Sequence, residues 1–401
     1  MYNIQEIAPT VFWVGGNDRR LERFENMFPL PNGVAYNSYM IIDEKTALID
    51  TVDQSISALY LENVIHVLGG RNLDYLVINH MEPDHCANIE EIVRRYPDVL
   101  VIGNKKTFQF FEQYYTLDMS SNYHEVKDGQ EISLGTQIIR FYTAPMVHWP
   151  EVMFTYETTQ GILFSADAFG SFGAHAGNLF NDEVDDNIID EARRYYANIV
   201  GRYGMQVRTV FNKLSGLNIE MICSLHGLIW RGNDVSFIFD KYDQWSRYVP
   251  EKKGVVLFYA SMYGNTENTM NALANKLAQR GLRDMRMYDV SKTHPSYIIS
   301  DIWKYSHMII GAPTYNAHLY FVMDALLREI AVLGLKDRKI SLIGNHTWAS
   351  AAIKGMQEII GSMVNLEVIG NPLDVRSSMK ADREPELNEL ADSIYASIMS
   401  E

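Results

Sequence analysis

The residues whose side chains are best suited to bind a metal lie within six consecutive positions, His80-Met81-Glu82-Pro83-Asp84-His85. They follow an apolar run at residues 75–79, which we expect to be a short buried strand. Side chains two residues apart in an extended segment point the same way, so His80 and Glu82 can share a metal ion. Pro83 keeps Glu82 out of a helix, and the last two residues of the segment come at the turn into the next helix. Four potential ligands at a strand end favour a metal site over a simple polar turn.

Three further residues of metal-binding type each follow a separate predicted strand. These are His148 after residues 138–143, Asp167 after residues 162–165, and His226 after residues 221–225. Alone, each would be an ordinary core or turn residue. With the 80–85 segment they resemble, over roughly residues 1–250, the metallo-β-lactamase superfamily. That family builds a two-metal site from H-x-[HE]-x-D-H, a later His, a bridging Asp and a last His.

The resemblance also implies which residues share a metal. One ion would be held by His80, Glu82 and His148, the other by Asp84, His85 and His226, with Asp167 between them. Glu82 stands where hydrolases of the family usually have a second His. The extra carboxylate makes the site harder and more anionic, which favours iron over zinc.

A second constellation follows an apolar strand predicted at residues 255–260 and opens a helix. It comprises Ser261, Met262, Tyr263, Gly264, Asn265 and Thr266. Hydroxyl groups and consecutive backbone N–H groups at a helix start form a cradle for a phosphate. The loop has no Lys or Arg and no G-x-x-x-x-G-K motif, which argues against nucleoside triphosphate hydrolysis. The pattern strand–[ST]-x-x-G-x-T–helix resembles the phosphate loop of flavodoxins.

Two later loops at predicted strand ends fit the same resemblance. Their candidate flavin contacts are Pro313, Thr314, Tyr315 and Asn316 in one loop, and Asn345, His346, Thr347, Trp348 and Ala349 in the other. In such folds ligands bind beyond the carboxyl ends of the strands. Tyr315 and Trp348 offer flat surfaces for an isoalloxazine ring.

Two patterns of secondary structure meet near residue 250. Before it, predicted strands group into hairpins with helices outside, which indicates an α+β sandwich, and residues 186–214 carry the longest helical pattern. Residues 248–254 are polar and contain proline and glycine, as linkers do. After them strands and helices alternate, which predicts an α/β fold with a parallel sheet. We therefore expect domains at residues 1–249 and 250–401.

Composition limits the classes of partner and of metal chemistry. The 401 residues include 35 Lys and Arg and 50 Asp and Glu, and the formal charge of −15 argues against nucleic acid or an anionic membrane as partner. Two cysteines, Cys86 and Cys223, exclude a disulfide framework and a four-cysteine iron site within one chain. A metal must therefore be bound by histidine and carboxylate. The amino terminus lacks a signal-peptide pattern, so we expect a cytoplasmic protein.

The two halves together resemble the flavodiiron proteins over essentially the whole chain. In these proteins a metallo-β-lactamase-like αββα sandwich precedes a flavodoxin-like, doubly wound parallel sheet. The resemblance implies two irons and one FMN per chain, and reduction of dioxygen to water, of nitric oxide to nitrous oxide, or of both. It implies a head-to-tail homodimer or a tetramer, in which one subunit's flavin lies beside the partner's irons. The two cysteines cannot form a fused rubredoxin, so we expect a separate donor, either rubredoxin or, in a methanogen, a reduced deazaflavin cofactor.

Two other classes of function remain open from the sequence. One is a di-zinc hydrolase with an accessory flavodoxin module. The presence of Glu82 in the metal motif argues against this class. The other is a binding or electron-carrier protein whose metals are structural or sense a gas, because ligands for sensing and for catalysis can be identical. The ligand types do not decide between dioxygen and nitric oxide.

Overall fold

The computed structural model describes residues 2–184 and 188–400. The described chain divides into two compact units. The first comprises residues up to 196 together with residues 205–243, and the second comprises residues 197–204 together with the chain from residue 244 onward.

The first unit is built from short strands. In chain order they are β1 (Gln5–Ala8), β2 (Val11–Trp13), β3 (Gly16–Asp18), β4 (Arg23–Phe24), β5 (Phe28–Pro29), β6 (Val34–Tyr36), β7 (Tyr39–Ile42), β8 (Thr46–Ile49), β9 (Tyr75–Val77), β10 (Leu100–Gly103), β11 (Tyr123–Glu125), β12 (Glu131–Ser133), β13 (Ile138–Thr143), β14 (Met153–Glu157), β15 (Ile162–Phe164), β16 (Met221–Cys223) and β17 (Trp230–Arg231). One sheet has the order β1-β2-β7-β8-β9-β10-β11 and the other β12-β13-β14-β15-β16-β17. Ribbons β3–β6 and β4–β5 lie outside these sheets.

A single apolar core joins the two sheets. Ile49 and Val77 from the first sheet are in one buried cluster with Phe141 and Phe164 from the second. Strands that bury one face against a partner sheet and the other under helices form the αββα layers that the sequence predicts. The α+β sandwich is therefore confirmed.

Helices cover this sandwich. They are α1 (Ser57–Leu68), α2 (Pro83–Cys86), α3 (Ile89–Arg95), α4 (Lys105–Tyr114), α5 (Ile188–Tyr195), α6 (Gly204–Leu214) and α7 (Asn233–Ser246), the last two of which extend into the second unit. The helical pattern predicted at residues 186–214 is confirmed from residue 188 onward, with a π-helical turn at Tyr196–Val200 and a 3₁₀ turn at Gly201–Tyr203 between α5 and α6. Gly204 is required at the join, since a Cβ there would lie 2.4 Å from the carbonyl oxygen of Ser246. The first two residues of that pattern lie outside the described residues.

Residues 34–42 form two strands. β7 forms an antiparallel hairpin with β8, but β6 pairs with β3. The chain changes partner at Asn37, whose N–H donates to the carbonyl of Leu225 and whose side-chain amide donates to the carbonyls of Ser224 and Gly227. Such side-chain to backbone bonds compete with a continuous ladder.

The second unit has the alternating elements of a doubly wound sheet. They are β18 (Lys252–Tyr259), α8 (Asn265–Gln279), β19 (Met285–Asp289), α9 (Pro295–Lys304), β20 (Tyr305–Tyr315), β21 (His318–Leu319), α10 (Phe321–Val332), β22 (Lys336–His346), α11 (Ala352–Ile360), β23 (Val364–Val368), β24 (Leu373–Arg376) and α12 (Glu384–Ser400). The parallel strands have the order β19-β18-β20-β22, with β23 and β24 both paired to β22.

The residues predicted as a linker extend into β18, because Lys252 already pairs with Tyr305. The predicted parallel α/β fold is confirmed.

Within the described residues, every helix is too short or too polar to cross a membrane.

Candidate functional site

Neighbouring strands place two of the predicted ligands side by side. β15 and β16 run parallel with Phe164 opposite Cys223, and Asp167 and His226 each follow three residues later. Equal offsets from a parallel register bring both side chains to the same edge of the sheet.

The 80–85 segment has the backbone that its residue types indicate. Glu82 is extended (φ −65°, ψ 145°), and Pro83–Cys86 form a single helical turn that begins with the proline. Proline suits the first position of a helix because its missing N–H has no intrahelical acceptor there. The carbonyl of His85 accepts hydrogen bonds from the backbone N–H and the hydroxyl of Thr51 (3.0 and 2.6 Å), which fixes the end of the turn.

The structure brings all seven predicted ligands together in two groups. The first group is His80, Glu82, His148 and Asp167, and the second is Asp84, His85 and His226. Within each group, one ligand-type atom from every residue lies within 4.8 Å of the others. Asp167 connects the groups, since its Oδ2 is 3.1 Å from Nε2 of His148 and its Oδ1 is 3.1 Å from Nε2 of His85.

Several buried polar atoms in these groups suit a cation better than a hydrogen bond. Both carboxylate oxygens of Asp84 lack a hydrogen-bond partner in the described structure, although the residue is only 9% exposed. The Nδ1 atom of His226 lies 2.9 Å from the carbonyl oxygen of Ala35 and therefore carries the hydrogen, which leaves Nε2 with a lone pair. That Nε2 faces the Nε2 of His85 at 3.0 Å. Two imidazole nitrogens and an unpaired carboxylate fit the donor set of a transition metal.

Glu151, a carboxylate that the sequence did not indicate as a site residue, orients His80. Oε1 of Glu151 lies 2.7 Å from Nδ1 of His80 and also accepts the backbone N–H of Met81 at 2.9 Å. The opposite nitrogen of the same ring, Nε2, then lies 3.1 Å from Oε2 of Glu82. A histidine that donates one ring N–H to a carboxylate is the usual arrangement behind a metal ligand.

Asp50, a second carboxylate that the sequence did not indicate as a site residue, holds the backbone at His80. Oδ1 of Asp50 accepts the N–H groups of Asn79 and His80 at 2.7 and 3.2 Å, and Oδ2 accepts the Asn79 amide at 2.9 Å. Burial raises the pKa of Asp50 to about 6, against the opposing effect of these hydrogen bonds and of His85. Asp50 thus belongs to the support of the site.

The electrostatics of the cluster favour positive charge among ionised carboxylates. Burial opposes protonation of His85 and His148, but the surrounding carboxylates raise the pKa of each to about 9. Burial likewise opposes ionisation of Asp167, yet the charge of His85 and the hydrogen bond from His148 hold its pKa well below the usual range. Hydrogen bonds from His148 and His80 lower the pKa of Glu82 against the same burial. Divalent cations would be stabilised by the same field.

Aromatic rings line the second group and close it from one side. The rings of Phe24, Tyr36 and Tyr195 lie 5.0, 5.6 and 5.6 Å from the ring of His226. In the first group, Trp149 contacts His80 edge-on at 5.4 Å. Packing on this scale restricts the rotamers of the ligand histidines.

Cys86 and His175 stand outside both groups. Cys86 is buried, its thiol lies 3.4 Å from the carbonyl of Met81, and burial raises the pKa of the thiol to about 12. His175 is also buried and its Nε2 lies 3.2 Å from Oδ1 of Asn37. Burial and the charge of Arg19 lower the pKa of His175 to about 4. These two residues support the structure near the site without joining the ligand groups.

In the second unit, the loop at residues 261–266 has the form of an anion cradle. The hydroxyl oxygen of Ser261 accepts the N–H groups of Gly264 and Glu267 at 3.1 and 3.4 Å. Gly264 has φ +88°, a conformation that L side chains rarely adopt, and α8 begins at the next residue. First-turn N–H groups of a helix have no intrahelical acceptor, so they are available to an anion. Met262 and Tyr263 are exposed here, whereas Thr266 is buried.

The two remaining predicted loops begin within the strands, since Pro313, Thr314 and Tyr315 end β20 and Asn345 and His346 end β22. The two strands pair in parallel with Pro313 opposite Asn345. The Thr314 hydroxyl accepts the N–H groups of Ala351 and Ala352 at 3.0 and 3.1 Å, which ties the end of β20 to the start of α11. Nδ1 of His346 lies 3.0 Å from Oδ1 of Asp374, and the Asn345 amide donates to the carbonyl of Ser377 at 2.9 Å.

Flat aromatic surface is available beside these loops. Trp348 is 91% exposed, Tyr263 is 93% exposed and Tyr315 is 46% exposed. Together with a phosphate cradle built from neutral donors, exposed aromatic rings fit a flavin mononucleotide. Asn316 has a left-handed backbone (φ +48°) at the turn after Tyr315.

Comparison with known proteins agrees with both folds. A family model described as ODP family beta lactamase matches residues 34–227, and a flavodoxin model matches residues 257–387. The nitric oxide reductase of Moorella thermoacetica is 31% identical over 370 residues, which cover 91% of each chain. The anaerobic nitric oxide reductase flavorubredoxin of Klebsiella pneumoniae is 30% identical over 391 residues, 96% of this chain and 78% of that protein. The structure of rubredoxin oxygen:oxidoreductase from Desulfovibrio gigas matches with a TM-score of 0.91 at 26% identity, over 99% of each chain.

The chain belongs to the flavodiiron protein family. It is therefore an oxidoreductase in which a metallo-β-lactamase-like domain precedes a flavodoxin-like domain.

Proposed function

We propose that this protein reduces nitric oxide to nitrous oxide, dioxygen to water, or both, at a pair of iron ions. The observation that carries the proposal is the position of Asp167, whose two carboxylate oxygens each lie 3.1 Å from a histidine of a different ligand group. A carboxylate placed in this way can bridge two cations. A bridged pair is what a reaction needs when two small molecules, or two atoms of one molecule, must be reduced together.

The donor set supports iron as the metal. His80, Glu82 and His148 would hold one ion, Asp84, His85 and His226 the other, with Asp167 as the bridge. The set contains four imidazoles and three carboxylates but no thiolate, and both cysteines lie outside it. Carboxylate-rich sites are harder than the cysteine and histidine sites that zinc favours.

The electron requirement explains why a flavin domain is joined to the metal domain. Joining two nitric oxide molecules into nitrous oxide and water takes two electrons, which a pair of ferrous ions would supply, and two protons from water, whereas reduction of dioxygen to two water molecules takes four of each. FMN, with its phosphate in the loop at residues 261–266, would supply the further electrons. This chain's own residues orient the ligands and exclude bulk water, since His80, His85 and His226 are fully buried.

We extend the proposal to electron supply and assembly. Electrons would reach the flavin from a separate rubredoxin or, in a methanogen, from a reduced deazaflavin cofactor. A relative of known structure is named rubredoxin oxygen:oxidoreductase, which supports the first donor. A head-to-tail homodimer, alone or within a tetramer, would bring each flavin to the partner's irons. Analytical ultracentrifugation should then show no monomer at concentrations where the protein is active, and an active monomer would refute this assembly.

Reconstitution with defined metals tests the assignment of iron. We expect iron-loaded, flavin-reduced protein to consume nitric oxide or dioxygen, and zinc-loaded protein to consume neither. Hydrolysis of a β-lactam or a thioester by the zinc-loaded protein, unaffected by removal of the flavin, would instead identify a di-zinc hydrolase. Gas binding without consumption by the reduced iron protein would identify a sensor.

A further inference from the structure

The first unit has a cavity whose described lining residues include none of the predicted metal ligands. Its volume is about 780 Å³, which is in the range that small organic ligands occupy. Its walls come from residues 30–33 and 171–176, from α5, and from Gly227 and Leu228. Because Gly227 directly follows the predicted ligand His226, the cavity adjoins the second ligand group without sharing a residue with it.

One positive charge in the cavity has no acidic partner. Glu191 and Arg194 neutralise each other, since Oε2 of Glu191 lies 2.7 Å from Nη2 of Arg194. Arg19 donates an N–H to the carbonyl of His175 and forms no ion pair with any residue that the structure describes. Arg19 is also exposed, so the rest of its planar set of donors is available to a carboxylate. The charges of the cavity therefore suit a ligand with one negative charge.

His175 supplies a hydrogen-bond acceptor on the same wall. The side-chain nitrogen of Asn37 donates to two backbone carbonyls, both at 2.9 Å, so its Oδ1 is the atom that lies 3.2 Å from Nε2 of His175. Nε2 must then carry the hydrogen, which leaves Nδ1 of the neutral ring with a lone pair. Burial and the charge of Arg19 lower the pKa of His175 to about 4, so the ring is neutral at neutral pH. Nδ1 has no hydrogen-bond partner among the described residues, and a ligand hydroxyl group could donate to it.

Apolar side chains form much of the remaining wall. They belong to Leu30, Phe172, Ile188 and Leu228. The ring of Phe172 is held in place, because it packs against the ring of Phe24 at 5.6 Å and lies under the guanidinium of Arg194 at 4.2 Å. An apolar wall with a few placed polar groups is typical of a small-molecule site.

We propose that this cavity binds a hydroxy acid with an apolar body, whose carboxylate is bound by Arg19 and whose hydroxyl group donates to Nδ1 of His175. The apolar body packs against Phe172 and the aliphatic side chains beside it. An amino acid fits less well, because its ammonium group would add a positive charge close to Arg19. The inference is independent of the proposed function, since the described residues that carry it include none of the predicted metal ligands.

Calorimetric titration of the full-length protein with its cofactors tests the proposal. The probes share one benzyl body: phenyllactate, 3-phenylpropionate, which lacks the hydroxyl group, and phenylalanine, which has an ammonium group in its place. We expect phenyllactate to bind, and the other two probes to bind about tenfold more weakly or less. Arg19→Gln should weaken phenyllactate binding about tenfold or more, because charge-assisted hydrogen bonds are lost. The matched control is Arg20→Gln, since Arg20 is exposed and lies near Asp18 instead, and this change should leave the affinity unaltered.

A second titration, after removal of the metal, separates the cavity from the metal pair. We expect metal-free protein to bind phenyllactate with the same affinity, and binding that is lost with the metal would overturn the proposal. Absence of phenyllactate binding, or equal binding by Arg19→Gln, would also overturn it. So would binding of 3-phenylpropionate or phenylalanine as tight as that of phenyllactate, because the hydroxyl group would then have no role. Should Arg19→Gln not fold, Arg19→Lys keeps the charge without the planar donors, and unaltered binding in that variant would count equally against the proposal.

Discussion

Nδ1 of His80 lies 2.7 Å from Oε1 of Glu151, and the opposite nitrogen of the same ring lies 3.1 Å from Oε2 of Glu82. A buried carboxylate thus fixes one side of the imidazole while the other side faces a predicted co-ligand. Because a carboxylate can only accept, Nδ1 carries a hydrogen toward Glu151, which leaves Nε2 as the nitrogen of His80 that could bind a metal. The orientation of this ligand is set by the protein before any metal binds.

Glu151→Gln should therefore weaken metal binding without removing a ligand. We expect metal affinity to fall by about 10- to 100-fold, because the neutral amide no longer stabilises the correct tautomer of His80. Chelator competition on the full chain measures this change. Glu157→Gln is the matched control, since Glu157 is equally buried but accepts the N–H groups of Thr159 and Gln160 in a remote turn. Equal losses in the two variants would show that Glu151 acts only on folding.

Asp167→Ala removes the atoms that face both ligand groups. We expect loss of metal from both groups and gas reduction at the background rate, while FMN stays bound, because the flavin loops lie in the other unit. Metal analysis and the visible flavin spectrum of the purified variant measure the two effects together. The exposed change Asp118→Ala should alter neither. Persistent turnover in Asp167→Ala would remove the basis for a bridged metal pair.

The sequence predicts the site residues that lie next to one another in the chain, but it does not predict those that act through contacts with residues far away in the chain. The segment from His80 to His85 is visible because its ligands are consecutive and follow an apolar strand. Glu151 and Asp50 act through hydrogen bonds to residues 71 and 30 positions away, and a lone acidic residue gives no sign of such a contact. The only signal for Glu151 was its place three residues after His148.

The fold shows the same division between local and distant causes. The alternating strands and helices after residue 250 were predicted because each element is specified by its own pattern. The helical pattern at residues 186–214 is confirmed over the described residues 188–214, but the π-helical and 3₁₀ turns within it were not predicted. At Gly204, where α6 begins, a Cβ would lie 2.4 Å from the carbonyl oxygen of Ser246, 42 residues later in the chain. Periodicity alone contains no information on that approach.

Ser261 offers the sharpest test of the phosphate cradle. Thr266 is buried, so an acidic side chain there would disturb packing as well as charge. Ser261→Asp places a carboxylate beside the N–H groups of Gly264 and Glu267, where it would satisfy them and repel a phosphate. We expect FMN affinity to fall about tenfold or more, equivalent to about 1.4 kcal/mol. Quenching of FMN fluorescence on titration with flavin-free protein measures the affinity.

A matched change at the opposite end of the sheet controls for charge alone. Ser362, exposed just before β23, should tolerate Ser362→Asp with no change in FMN affinity. If Ser261→Asp also binds FMN as tightly as the unmodified protein, the flavin phosphate lies elsewhere.

His175 should make the first unit sensitive to acid. Its folded pKa of about 4 is lower than the ordinary value of 6.5, so the neutral form is favoured by folding. The resulting stability is present above about pH 6.5 and is lost as the pH falls toward 4, to a total of about 3 kcal/mol. Urea unfolding of metal-free protein at pH 7 and pH 5, followed by tryptophan fluorescence, should show this loss. His175→Gln should flatten the dependence, whereas the exposed His66→Gln should not, and an equal pH slope in all three proteins would contradict the assignment.

The most direct test of the proposed function is gas consumption by the reduced protein. Purified protein containing about two irons and one FMN per chain is reduced anaerobically, given nitric oxide or dioxygen in turn, and followed with an electrode. We expect rapid consumption of at least one gas, with the ratio of the two rates identifying the preferred substrate. Zinc in place of iron in the purified protein, with neither gas consumed even after loading with iron, would contradict the proposed function.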